Sequence, residues 1–155
     1  PRPNAARGRD EVTDNSPKAV VLRSIDLYND HPPEVYLDVE KFLSLWSDDC
    51  VQEFAATPQT PARRTLGKQP TRDAVAALST WMRASHTTVH EAVAEGDRVA
   101  VRYTWTGVVT RDVPGYHAGT VVRADGTGFY TVRDGLIVEM IDVMGPMLAG
   151  EADKQ

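Results

Sequence analysis

The hydrophobic period of this chain changes once, near His86. Before that point apolar residues recur three and four apart, as on one face of a helix. Beyond it they alternate, as on one face of a strand. A chain that spends its helices first and then runs through hairpin-linked strands is constrained to an α+β domain, with helices packed on one face of an antiparallel sheet.

The helical half reads as follows. Ser16-Pro17 supplies a capping hydroxyl and a proline for the first turn. Val21, Ile25 and Tyr28 carry the first helix to about Asn29, where His31-Pro32-Pro33 breaks it. Asp38 caps a second, short helix with the stripe Phe42, Leu45 and Trp46, and Ser47-Asp48-Asp49 ends it. Cys50 to Phe54 is a short strand, and Ala55 to Pro70 is a loop by its prolines. Thr71 is the expected cap of a third helix whose buried stripe is Val75, Leu78 and Met82.

The strand half runs His86–Ala94, Arg98–Val109, Tyr116–Val132 and Leu136–Met144. Glu95-Gly96-Asp97 and Asp134-Gly135 are tight turns, so the long strands should pair as a meander. Val99, Val101, Tyr103 and Trp105 form one apolar face. Gly119, Gly126 and Gly128 suggest bends or bulges that curl the sheet. The expected architecture is a cone-like curved sheet wrapped around about three helices, with a pocket between them. Residues 16–148 form that domain, 1–15 a polar arm, and 149–155 a tail.

Composition narrows the function. The 155 residues fit one domain, and 41% hydrophobic with 25% charged residues suits a globular chain. A net charge of -5 without a basic run argues against nucleic acid. No apolar run approaches the length of a membrane span. The polar start lacks a signal-peptide core, and the single Cys50 has no internal disulfide partner, which together point to the cytoplasm. On a strand, His86 and His90 lie about 13–14 Å apart. That is too far for one ion, so no metal is expected. Gly126-Thr127-Gly128 precedes strand, not helix, so it is no phosphate loop, and no cofactor is implied.

Chemistry concentrates in Leu136–Met144. Strand alternation puts Met140, Asp142 and Met144 on one face and Ile141 and Val143 on the other. If the methionine face lines a cavity, Asp142 is an acid in an apolar wall that resists ionising. If that face meets solvent, it is an ordinary surface acid. Glu53 shares a face with Val51 and points wherever Val51 points. Asp26 lies on a borderline face of the first helix. Arg102 is turned away from the core by its parity with Val101 and Tyr103. Tyr28, Tyr36, Tyr130, Trp46 and Trp81 are candidate pocket walls, with core packing the default for the tryptophans, and His117 is placed to reach a pocket mouth.

Three stretches carry a resemblance over roughly Ala19 to Met147: Leu45-Trp46-Ser47-Asp48-Asp49-Cys50-Val51-Gln52-Glu53, then Glu95-Gly96-Asp97-Arg98 through Gly107, and Val132-Arg133-Asp134-Gly135-Leu136-Ile137-Val138-Glu139. With these the chain resembles the SnoaL-like branch of the nuclear transport factor 2-like superfamily, which includes ketosteroid isomerase and limonene epoxide hydrolase. The resemblance implies several roles. Glu53 falls where ketosteroid isomerases have their general base. Asp26 sits near their pocket tyrosine, and the pair Asp26 and Glu53 resembles the two carboxylates of polyether epoxide hydrolase/cyclases. Asp142 resembles an aspartate of SnoaL-like cyclases and limonene epoxide hydrolases. Arg102 matches the arginine that epoxide hydrolases set between two acids, although the second acid would fall at Thr104. Gly128 stands where ketosteroid isomerases have an acidic oxyanion donor, which speaks against steroid isomerisation.

The function so implied is a cofactor-independent acid–base cyclase acting on an apolar, oxygenated polyketide-type intermediate, with epoxide opening as one route. The expected catalytic set is Glu53, Asp142 and Asp26. Tyr28, Trp46, Arg102, His117, Tyr130, Met140 and Met144 would contact the substrate. An epoxide hydrolase or isomerase of the same fold is the alternative, and a non-catalytic binding or assembly domain is another. A homodimer through the sheet face that carries Ile141 and Val143 is expected.

Overall fold

The computed structural model describes residues 13–150, and most of the arm expected at 1–15 lies outside them. Among the described residues there are three α-helices and seven strands: α1 Pro17–Asn29, α2 Val39–Leu43, β1 Trp46–Phe54, β2 Arg63–Leu66, α3 Gln69–Leu78, β3 Met82–Glu95, β4 Arg98–Val109, β5 Val121–Arg133, β6 Leu136–Met144 and β7 Leu148–Ala149. No helix in this range is long and apolar enough to cross a membrane.

Local chemistry sets the helices. Ser16 Oγ accepts the Ala19 N–H at 3.3 Å, and Pro17 fills the first turn of α1. Val20, Val21, Ser24 and Ile25 form the buried face of α1. Asp38 caps α2 by accepting the Lys41 N–H at 3.1 Å. The α2 helix is shorter than its sequence stripe suggested: it ends at Leu43, and Trp46 already opens β1. Thr71 is not the cap of α3, which begins earlier with Lys68 at the N-cap and proline in its first turn. The Thr71 hydroxyl instead accepts Gln52 Nε2 at 2.7 Å. Met82 opens β3 rather than closing the α3 stripe.

The sheet runs in the order β2-β1-β6-β5-β4-β3, with β7 on β5. The β3–β4–β5–β6 meander forms in sequence order as the turns require. Asp134 and Gly135 both take positive φ, 52° and 75°, the geometry of a two-residue hairpin whose twist matches its strands. Two findings depart from expectation. The sheet is not wholly antiparallel, because β1 pairs parallel with β6. The entire meander separates these strands in sequence, so they can run the same way without a compact β-α-β crossover. In addition, β2 lies inside the proline-rich segment expected to be loop.

Register shifts fall in β1 between Trp46 and Val51, in β3 between Arg83 and His86 and between Val89 and Glu91, and in β5 between Thr131 and Val132. Gly126 and Gly128, by contrast, pair with β4 in unbroken register. The helices cover the concave face. Val20, Val21, Cys50, Val101, Val109, Val122 and Ile137 have no exposed surface there, and Val99, Tyr103 and Trp105 are buried beside them as the alternation of β4 predicts.

Candidate active site

Helices and concave sheet do not meet fully, and a cavity of about 610 Å³ remains between them. Its walls are mostly apolar and aromatic, with contributions from all three helices and from β1, β2, β3, β4, β5 and β6. Met140, Asp142 and Met144 line it together from alternate positions of β6.

Asp142 is the single carboxyl group in the lining. Burial pushes its pKa above the usual aspartate value. Two groups pull the other way. The Tyr103 hydroxyl donates to Asp142 Oδ1 at 2.6 Å, and the Arg63 charge favours the carboxylate. Tyr103 and Tyr130 flank Asp142. Burial raises the pKa of both phenols, and the nearby carboxylate raises it further, so both stay protonated donors. A second polar group lies at the helix side. Trp105 Nε1 donates to Ser85 Oγ at 2.8 Å and lies 3.1 Å from the Tyr28 hydroxyl, which itself bonds Ser85.

The glycines of β5 seat these phenols. Gly126 pairs with Tyr103, and a Cβ built there would lie 2.6 Å from the Tyr103 hydroxyl. A Cβ on Gly128 would lie 2.8 Å from the Tyr130 ring. Gly128 also pairs directly with Asp142, so the missing side chains make room around the carboxyl. Gly126→Ala should displace the Tyr103 hydroxyl and break its bond to Asp142. We expect a folded protein, destabilised by about 1–3 kcal/mol, that has lost the short Tyr103 hydroxyl proton resonance in NMR.

Of the other expected residues, Tyr28, Tyr36, Tyr130 and Trp81 line the cavity. Glu53 does not. Its side chain is half exposed and pairs with Arg64 at 3.3 Å. The inward residues of β1 here are Gln52 and Phe54. Trp46, Cys50, Gln52 and Phe54 share the inward parity of β1, which leaves Val51 and Glu53 on the other face, so Glu53 and Asp142 do not share the cavity. Asp26 is exposed on α1, one residue past the inward Ile25. Arg102, expected to contact the substrate, does not: it is exposed outside the cavity with Glu91 at 3.7 Å, because the alternation of β4 that buries Val101 and Tyr103 turns it to the convex face. His117 is almost fully exposed beside Asp112. Trp46 is core rather than wall: it is 2% exposed and donates Nε1 to Ser24 Oγ at 3.1 Å.

Sequence reasoning missed Tyr103, Trp105, Ser85, Gln52 and Arg63 as lining or supporting groups. For Tyr103 and Trp105 a signal existed, since buried residues with polar tips need partners. Among the described residues no cluster of His, Cys, Asp and Glu has the proximity to hold a metal ion.

This arrangement, a curved sheet closed by helices over an apolar cavity with one acid on the central strand, defines a small-molecule pocket. The chain belongs to the SnoaL-like domain family, whose sequence pattern matches residues 21–140. No curated protein matches it. Solved structures share the fold. IdmH from Streptomyces antibioticus, a proposed polyketide cyclase, aligns at TM-score 0.65 and 21% identity over 83% of this chain and 91% of its own. AclR from Streptomyces galilaeus, a proposed hydroxylase, aligns at 0.63 and 22% over 83% and 77%. An LEH-like epoxide hydrolase of M. tuberculosis aligns at 0.62 and 16% over 83% and 81%.

Proposed function

We propose that this domain is a cofactor-independent cyclase that moves a proton with Asp142 on an apolar, oxygenated, polyketide-type substrate. The observation that carries the reading is a lone carboxyl in an apolar wall, held by a phenol at 2.6 Å. As a carboxylate, Asp142 takes a proton from carbon next to a substrate carbonyl. The resulting enolate attacks a second carbonyl of the same molecule, forming a carbon–carbon bond. Asp142 then returns its proton to the new alkoxide, so the acid ends as it began. Protonated phenols beside it are suited to hydrogen-bond the oxyanions on the way. Family membership and the cyclase-type neighbours support this reading. Epoxide opening by two acids and an arginine has less support, because Arg102, Glu53 and Asp26 all lie outside the cavity. The test is exchange of the activated carbon's hydrogen in heavy water, monitored by mass spectrometry on oligoketide substrates. Wild-type protein should exchange and Asp142→Asn should not; equal exchange by both would end the proposal.

We also propose a homodimer through the convex sheet face. Val93, Phe129 and Val143 stand on that face 56%, 47% and 47% exposed. Sedimentation equilibrium at micromolar concentration should give twice the chain mass, and Phe129→Asp should give a monomer. A wild-type monomer contradicts the proposal.

A further inference from the structure

Three residues of the cavity wall stand in one row across three neighbouring strands. Phe54 of β1 pairs with Arg63 of β2 on one side and with Asp142 of β6 on the other. Residues paired in this way point to the same face of a sheet, and all three line the cavity. Two strand spacings separate the outer members, roughly 9.5 Å between backbones. The Arg63 guanidinium lies over the Phe54 ring, 4.2 Å from its centroid. That contact fixes the direction of a long side chain without consuming its charge or its N–H groups.

Arg63 makes no ion pair within 4 Å among the described residues. The other basic residues with such a pair include its neighbour Arg64, which is bound to Glu53. The same stretch of chain that brings Arg63 to the cavity also lends Thr57, Gln59, Thr60 and Thr65 to its lining, which carry hydroxyls and an amide but no acid. Along this row the cavity therefore presents a cationic group, an aromatic spacer, and then the carboxyl of Asp142.

We propose that Arg63 recognises a carboxylate on the substrate, so that the natural ligand is an apolar organic acid rather than a neutral molecule. The guanidinium fork matches a carboxylate in shape and charge. The substrate's ring system would then lie along Phe54, with its reacting carbon at Asp142 and its acid group held at the mouth. This rests on the reading of Asp142 only for the position of the reacting carbon; the recognition itself is measured without turnover.

The experiment compares 2-naphthoate with the isosteric, neutral 2-naphthamide, using quenching of tryptophan fluorescence at pH 8. Trp81 and Trp105 both line the cavity and report occupancy. Wild-type protein should bind the acid about tenfold more tightly than the amide in low salt, and the preference should shrink at high ionic strength. Arg63→Gln should bind the amide as wild type does, which also shows that it folds, and should lose the preference for the acid. Arg63→Lys should keep part of it, since charge remains and the fork is gone. The proposal is overturned by equal wild-type affinities, by a preference that survives Arg63→Gln, or by failure of both probes to bind at millimolar concentration. A normal acid preference in Asp142→Asn protein that has lost hydrogen exchange supports both proposals. An acid preference in protein for which Asp142→Asn changes nothing retains the anion site and removes the catalytic reading.

Discussion

Asp142→Asn is expected to lower turnover by about 10²–10⁴-fold while leaving the fold intact. Asparagine keeps the shape and can still accept the Tyr103 hydrogen bond, but it cannot carry a proton. The same substitution should raise thermal stability at neutral pH by a few degrees. The sign follows from burial. The Asp142 pKa lies above the ordinary 3.8 in the fold, so the folded state holds this proton more tightly than the unfolded chain. Its favourable contribution is complete below 3.8 and is lost as pH rises through the folded value. Above its folded pKa wild type therefore keeps a partly desolvated charge that the variant lacks. Activity depends on pH in the opposite sense. A base must be ionised, so kcat/KM should rise with pH through the raised Asp142 pKa. Tyr103→Phe removes a hydrogen bond that favours the carboxylate, and should move that limb to higher pH. An unmoved limb would assign it to another group.

Trp46→Ala should give the largest loss of stability, about 3–5 kcal/mol from the cavity it leaves. This is a large share of the roughly 5–15 kcal/mol that holds a domain together. Trp46 is 2% exposed, and it joins the helices to the sheet. Its ring meets Phe42 of α2 edge-on at 5.4 Å and Tyr130 of β5 at 6.3 Å. Its N–H reaches Ser24 of α1. Urea unfolding should show the loss as a lower midpoint at unchanged slope. Trp46→Phe keeps most of the packing but removes that N–H partner from the buried Ser24, and should cost about 1–3 kcal/mol. A Trp46→Ala protein with near wild-type stability would mean that the helices are anchored elsewhere.

How much of this was legible in the sequence depended on how clearly each residue's face was marked. In β4 the apolar residues alternate without interruption, so parity places Tyr103 and Trp105 inward and Arg102 outward, and it was the resemblance to epoxide hydrolases that made Arg102 a substrate contact. Asp142 sits between two methionines, so the face it shares with them was plain, but Ile141 and Val143 make the other face apolar too, and only the fold shows which of the two meets the cavity. The β1 strand was harder to read. Trp46, Cys50, Gln52 and Phe54 share its inward parity, but Gln52 is polar, Asp48 on the same parity is exposed, and the apolar Val51 stands with Glu53 on the other face. Resemblance to a known base then drew Glu53 inward, and the structure turns it out. Arg63 was invisible for a related reason. The β2 segment Arg63-Arg64-Thr65-Leu66 has no apolar period and follows prolines, and only pairing with β1 makes it a strand. The glycines of β5 were read as bends because nothing in sequence shows that two rings lie over them.

The parallel contact between β1 and β6 also bears on how the molecule is made. The β6 strand sits between β1 and β5, near the middle of the sheet, yet it follows every helix and every other long strand in sequence. During synthesis the helices and β1 must therefore wait, with one flank unpaired, until residues near Met144 have left the ribosome. Contacts of such long sequence separation slow folding. The strand that carries the acid is also the one that locks the two halves of the sheet together, so the Asp142 carboxyl enters its cavity in the same step that completes the domain.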